Sequence, residues 1–310
     1  VTTPEPATAR RAPGPWVSSI GLVMAAFGVA VLAVVLAQQL REVPEVRDFI
    51  AQYPGDTERP DAAPIGFPAW LAWQHFLNGF LLVFLVRTGW QIRSKKRPPA
   101  FRIPNHRRLD PARPPRRVSV TVWFHLVLDV LWAANGVLYV VLLFVTGQWM
   151  RLVPLSWDVV PNAISVGIQY VSLDWPAHDG WVHYNALQLL LYGATVFLAA
   201  PLALVTGLRL SPAWKIAPYR RLGRLLPERP IRTLHGIVMF YVVAFTVVHV
   251  TLVLTTGAVR NLNHIYAIRD DESWIGVAIF GASLAAIVLA WVVLRPAVIA
   301  RLASVGGTVR

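Results

Sequence analysis

The chain has 310 residues, 55% of them hydrophobic and 15% charged, with a net charge of +13 and no cysteine. A soluble domain of this length carries about 25% charged residues, so the composition excludes an ordinary soluble fold and predicts a polytopic membrane protein. The lack of cysteine excludes disulfides, cysteine-ligated zinc, iron–sulfur clusters and covalent c-type haem attachment. The positive charge sits in particular loops, which points to membrane topology and not to nucleic acid.

Residues 1–15 are rich in Pro, Ala and Arg and are expected to form a disordered cytoplasmic N-terminus. Residues 16–38 read as a first span, longer than the 7–15-residue apolar core of a cleaved signal peptide. The loop 39–66 carries six acids against three arginines. A second span runs from about Pro68 to Ile92 and contains His75. Residues 93–117 hold ten Lys or Arg and one acid, Asp110. A third span covers about Val118 to Val145, with His125 near its start and Asp129 one turn later. The loop 148–181 has one arginine and three aspartates, and Ser165 to Leu173 is a candidate interfacial element. A fourth span runs from about Val182 to Leu208. Seven basic residues and one acid follow in 209–232. The fifth span begins near Arg232 and ends at Thr256-Gly257, and the sixth covers 274–295 before Pro296.

Basic loops stay on the cytoplasmic side. Six helices with both termini cytoplasmic satisfy every loop, and a bacterial-type cytoplasmic membrane is the expected location. Thr88-Gly89, Thr146-Gly147, Thr206-Gly207 and Thr256-Gly257 each lie at or near the end of a span. They read as C-terminal caps, where glycine supplies the left-handed conformation.

Of eight histidines, His106, His178 and His264 fall in loops and His183 at the lip of the fourth span. The other four lie in apolar runs. His235 and His249 are fourteen residues apart, a rise of about 21 Å with a net rotation of about 40°, so both leave nearly the same helix face. With the predicted topology, His75 and His249 share an outer level and His125 and His235 an inner one. Ionisable groups within a span are costly and are functional candidates. Two ligands per level suit the axial positions of haem, whereas zinc takes three or four together. Asp129 shares a face with His125. It could orient that ligand, accept protons from a quinol, or simply pack helices. Arg116, Arg117 and Arg232 flank the inner pair, as propionate partners or as ordinary interfacial anchors. The same four histidines could also pack helices in a non-redox membrane protein.

Four segments resemble the thiosulfate-reductase-type cytochrome b subunits, relatives of the membrane subunit of formate dehydrogenase-N. They are His75-Phe-Leu-Asn-Gly-Phe with Thr88-Gly89; His125 with Asn135-Gly136 and Thr146-Gly147; Tyr184-Asn-Ala-Leu-Gln with Pro201 and Thr206-Gly207-Leu-Arg-Leu-Ser-Pro212; and Arg232-Thr-Leu-His235 with His249 and Thr256-Gly257. The resemblance implies a four-helix core over 67–257, two haem b held by His75, His249, His125 and His235, and electron passage between quinone and a soluble, often molybdopterin-containing, oxidoreductase subunit. Spans one and six lie outside that core, so the side of the membrane facing the quinone does not carry over. A transmembrane haem reductase without a tight partner is the second reading.

Overall fold

A computed structural model describes residues 15–94, 100–104, 117–176, 179–215 and 222–310. The helices in chain order are α1 (Pro15–Glu42), α2 (Pro44–Gln52), α3 (Ala69–Arg93), α4 (Val120–Val145), α5 (Val159–Val171), α6 (Ala186–Ala194), α7 (Ala200–Leu210), α8 (Leu222–Leu225), α9 (Glu228–Thr255), α10 (Ala258–Leu262), α11 (Ile275–Val293) and α12 (Pro296–Ser304). Short strands β1 (Phe101–Pro104), β2 (Val118–Ser119) and β3 (Gly307–Val309) form one antiparallel sheet in the order β2-β1-β3. A π-helical segment, Thr195–Ala199, joins α6 to α7 into one rod.

Among the described residues six helices are long and apolar enough to cross a membrane: 19–42 within α1, α3, α4, the α6–α7 rod, α9 and α11. Their flanks are apolar and open. Along α4, Val130, Val137 and Val145 are 68%, 65% and 77% exposed, a surface suited to lipid and not to water. The protein is an all-α membrane protein with six spans. The predicted spans match within a few residues, except that the first continues to Glu42.

The contacts divide the chain into two units. The first contains α1, α2, α5 and residues 185–187. Here Arg41 ion-pairs with Asp174 and donates to Ser172 Oγ at 3.2 Å, and Gln38 donates to the Ser172 carbonyl at 3.2 Å. Pro44 begins α2, its ring already set at the helical φ and its missing N–H not needed there. This helix lies in the acidic loop that had been expected to be irregular. The predicted interfacial element is α5, starting earlier, at Val159.

The second unit holds the other spans. Helices α3 and α4 are antiparallel, with Thr88 late in α3 against His125 early in α4, and Trp70 early in α3 against Tyr139 late in α4. Leu81, Phe84, Phe124 and Leu128 form their buried contact, with Ala290, Leu294 and Ile299 packed on it. Helix α7 packs along α9. The start of α11 is anchored by buried Asn263, whose amide donates to Asp271 Oδ1 at 2.8 Å and to the Ser273 carbonyl at 2.6 Å and accepts from Gly276 N–H at 2.6 Å. A Cβ at Gly276 would stand 2.5 Å from the backbone of Leu262 and Asn263, so only glycine allows this approach.

The Thr-Gly pairs divide into two kinds. Gly147 and Gly257 follow α4 and α9 with φ of +74° and +127°, as caps. Thr88-Gly89 and Thr206-Gly207 lie inside helices α3 and α7, which corrects the expectation that all four cap helices. Their side chains have another task.

Candidate cofactor site with two levels of paired histidines

All four span histidines fall within the second unit. His75 of α3 and His249 of α9 meet at one level, ring centroids 6.2 Å apart and planes at 57°. At the other level His125 of α4, His235 of α9 and Asp129 are within electrostatic reach of one another. Gly89 of α3 lies near both His125 and Met239, one turn beyond His235, which ties α3, α4 and α9 together there. The two α9 histidines are separated by Tyr241 and Phe245. Phe245 stacks on His249 at 5.6 Å and Tyr241 on Phe245 at 6.3 Å, a ladder of rings four residues apart on one helix face.

Three of the four imidazoles have a partner at Nδ1. Thr88 Oγ1 is 2.6 Å from His125 Nδ1, and Thr206 Oγ1 is 2.8 Å from His235 Nδ1. Tyr192 OH lies 3.5 Å from His249 Nδ1 and its ring meets His249 edge-on. His75 Nδ1 is buried without a hydrogen-bond partner among the described residues, while Tyr266 meets its ring edge-on at 5.7 Å. Burial raises the pKa of the Tyr184 and Tyr266 phenols, which lie outside the spans, so both remain hydrogen-bond donors at neutral pH.

The geometry suits a group held between paired imidazoles. A metal–imidazole bond is about 2.0–2.1 Å and the ring nitrogen lies about 1.1 Å from its centroid, so two rings facing one metal have centroids about 6.2 Å apart. The His75–His249 separation has this value. One turn after His75, Gly79 has no atom within 4 Å of where a Cβ would stand, and the same holds for Gly136, three turns after His125. The antiparallel pairing of α3 with α4 puts Gly136 near the level of His75, so the open glycine faces lie beside the His75–His249 level, where they leave room for a flat macrocycle. Among the described residues no cluster of three or more His, Asp or Glu could hold a single ion. The donors present, neutral imidazoles two per level, fit haem iron.

The remaining candidates separate. Asp129 Oδ2 lies 3.8 Å from His125 Nε2, while the other ring nitrogen is held by Thr88. The carboxylate therefore does not orient His125 through its second nitrogen. Arg232 is one turn from His235, yet its guanidinium is 71% exposed and turns to Glu228 at 3.7 Å. Arg117 lies over the Phe101 ring at 4.0 Å, and Arg116 is outside the described residues. Among the described residues Arg93 is a cation that reaches this level, lying over Phe240 and against Gly236. In the sequence Arg93 is one of ten basic residues in a stretch, and nothing marks it out. Loop histidine His264 has a structural task, stacked on Phe67 and 2.8 Å from Asp270, and His106 and His178 lie outside the described residues.

Fold and site together define a six-span, all-α membrane protein with four histidines at two levels within its spans, His75 against His249 at one and His125 near His235 at the other. The chain belongs to the family of a protein of Azospira oryzae carrying the name "Putative protein-methionine-sulfoxide reductase subunit YedZ1", to which it is 30% identical over 196 residues, 60% of this chain and 88% of that protein. No family model and no solved structure matches the chain.

Proposed function

We propose that this protein is a dihaem cytochrome b subunit that relays electrons across the bilayer between a quinone pool and a soluble redox partner. The observation that carries this reading is the pairing of His75 with His249 at metal-bridging separation, with His125 and His235 as a second pair of neighbours some 21 Å along α9. The family supports it, because the relative's name makes that protein a reductase subunit, and a subunit implies a catalytic partner. By that likeness the partner here would be a soluble oxidoreductase acting on oxidised methionine in proteins. A molybdopterin-containing partner is the finer expectation from the sequence resemblance, and residues 67–257 are then the haem-binding core with the first and last spans flanking it.

Haem at each level would supply a one-electron carrier. The protein supplies the rest. At each level one imidazole from α9 and one from α3 or α4 would hold the iron, so ligation would also tie α3, α4 and α9 together. Thr88, Thr206 and Tyr192 meet the far side of three of those rings. Arg93 offers a positive charge beside His235. By the charge bias of the loops, the His125–His235 level would face the cytoplasm and the His75–His249 level the outside.

The test is reduction of the protein in native membranes by an added quinol, followed by visible difference spectroscopy. The expected result is a b-type haem spectrum appearing within the mixing time and diminishing when oxidised partner or another external oxidant is added. A haem spectrum that dithionite elicits and quinol does not would remove the quinone from the scheme.

A further inference from the structure

We infer that Thr88 and Thr206 are a matched pair of positioning residues that fix His125 and His235 as the tautomer protonated at Nδ1, leaving Nε2 free to bind a metal. The inference deepens the haem reading and rests on it for the ligand's identity. Its foundation is a proton count. A threonine hydroxyl has one proton. Thr88 Oγ1 lies 2.8 Å from the Phe84 carbonyl and 3.1 Å from the Leu85 carbonyl on its own helix. Thr206 Oγ1 makes a short contact to the Leu202 carbonyl and a 3.2 Å contact to that of Ala203. Carbonyl oxygens only accept, so the contacts to Phe84 and Leu202 are hydrogen bonds only when each hydroxyl proton points back into its own helix, the arrangement that leaves no acceptor pair in contact. Toward the imidazole the hydroxyl oxygen can then only accept, and the ring must donate. Both histidines therefore carry their proton on Nδ1.

Burial reinforces the assignment. Each threonine is 2% exposed, so no bulk water competes for the ring nitrogen. The arrangement is repeated: each threonine precedes a glycine, Gly89 or Gly207, at which a Cβ would stand 3.6 or 3.5 Å from the Cε1 of the same imidazole. Two different helices, α3 and α7, thus present the same Thr-Gly step to two different histidines. The other level has no such pair, since Tyr192 stands at 3.5 Å from His249 and His75 Nδ1 has no partner among the described residues. An acceptor on Nδ1–H makes the imidazole a more basic ligand and favours the oxidised metal. Removing that acceptor should raise the midpoint potential of this level alone.

The experiment is a redox titration of the purified, haem-loaded protein as wild type, Thr88→Val, Thr206→Val and Thr88→Ser. Valine keeps the shape and removes the hydroxyl; serine keeps the hydroxyl. Each valine variant should shift one of the two haem potentials upward, changing its oxidised-to-reduced ratio at fixed poise about threefold or more, roughly 28 mV on the 59 mV-per-decade scale of a one-electron couple. The second haem should not move, and serine should restore the wild-type value. If a valine variant loses one haem and serine retains it, the hydroxyl is shown to be needed for ligation, which also supports the inference. Unchanged potentials, equal shifts of both haems, or a serine variant as defective as valine would overturn it. A nitrogen-15 spectrum of the histidine rings in haem-free protein separates this from the haem reading. Two rings protonated at Nδ1, each lost in the matching valine variant, would uphold the tautomer assignment even if no haem bound; those rings protonated at Nε2 would refute it.

Discussion

Replacing His75 or His249 by alanine removes one and the same haem, and replacing His125 or His235 removes the other. Each substitution would delete one of the two imidazoles that would hold the haem at that level. Among the described residues no further His, Asp or Glu cluster stands by to replace it. The expected loss is about half of the haem absorbance in every single variant, with two spectral classes among the four. His75 and His249 should behave identically because their rings face each other at 6.2 Å, and His125 should group with His235, its electrostatic neighbour. Spectra and haem content of the four purified variants check this. A grouping of His75 with His125, which share the paired helices α3 and α4, would contradict the two-level arrangement.

Asp129→Asn gives the second large effect. A carboxylate within a span is expensive unless paired, hydrogen-bonded or protonated, and Asp129 sits ten residues into α4 with its side chain 30% exposed. Orientation of His125 does not require it, since Thr88 already occupies Nδ1. In the proposed scheme, if quinol is oxidised at this level, the task of Asp129 is to take up the protons released. The amide keeps the shape and polarity of the side chain and cannot titrate. Both haems should therefore stay in place, while quinol-driven haem reduction slows about tenfold or more, equivalent to roughly 1.4 kcal/mol of barrier. Stopped-flow reduction beside a haem assay reads both quantities. An unchanged rate would make Asp129 a replaceable packing contact, and loss of haem would return it to a ligand-supporting role.

The spans and the histidines were legible in the sequence because the physics behind them is local. Apolar length sets a span, loop charge suggests its direction, and a histidine in hydrocarbon stands out against its neighbours. The fourteen-residue step on α9 already placed His235 and His249 on one face. What supports those histidines was not legible. A threonine in an apolar helix commonly bonds its own i−4 carbonyl, so Thr88 and Thr206 look unremarkable until α4 and α9 bring a ring to each. Their resemblance to Thr146-Gly147 and Thr256-Gly257 suggested caps, and only the observed helix ends at Arg93 and Leu210 separate the two kinds. The sheet was hidden for a different reason. Its pairing of Arg102 with Val309 joins segments about two hundred residues apart, and Phe101–Pro104 lies in a basic, proline-rich stretch with no strand pattern. Arg93 was hidden by company, one cation among ten.

The account stands or falls on whether this chain holds haem, and how much. A pyridine haemochrome assay on the purified, folded protein measures both the type and the amount. Two pairs of imidazole ligands and no cysteine predict about two extractable b-type haems per chain. A folded, colourless protein would make the four histidines helix-packing residues, and a single haem per chain would contradict the second level.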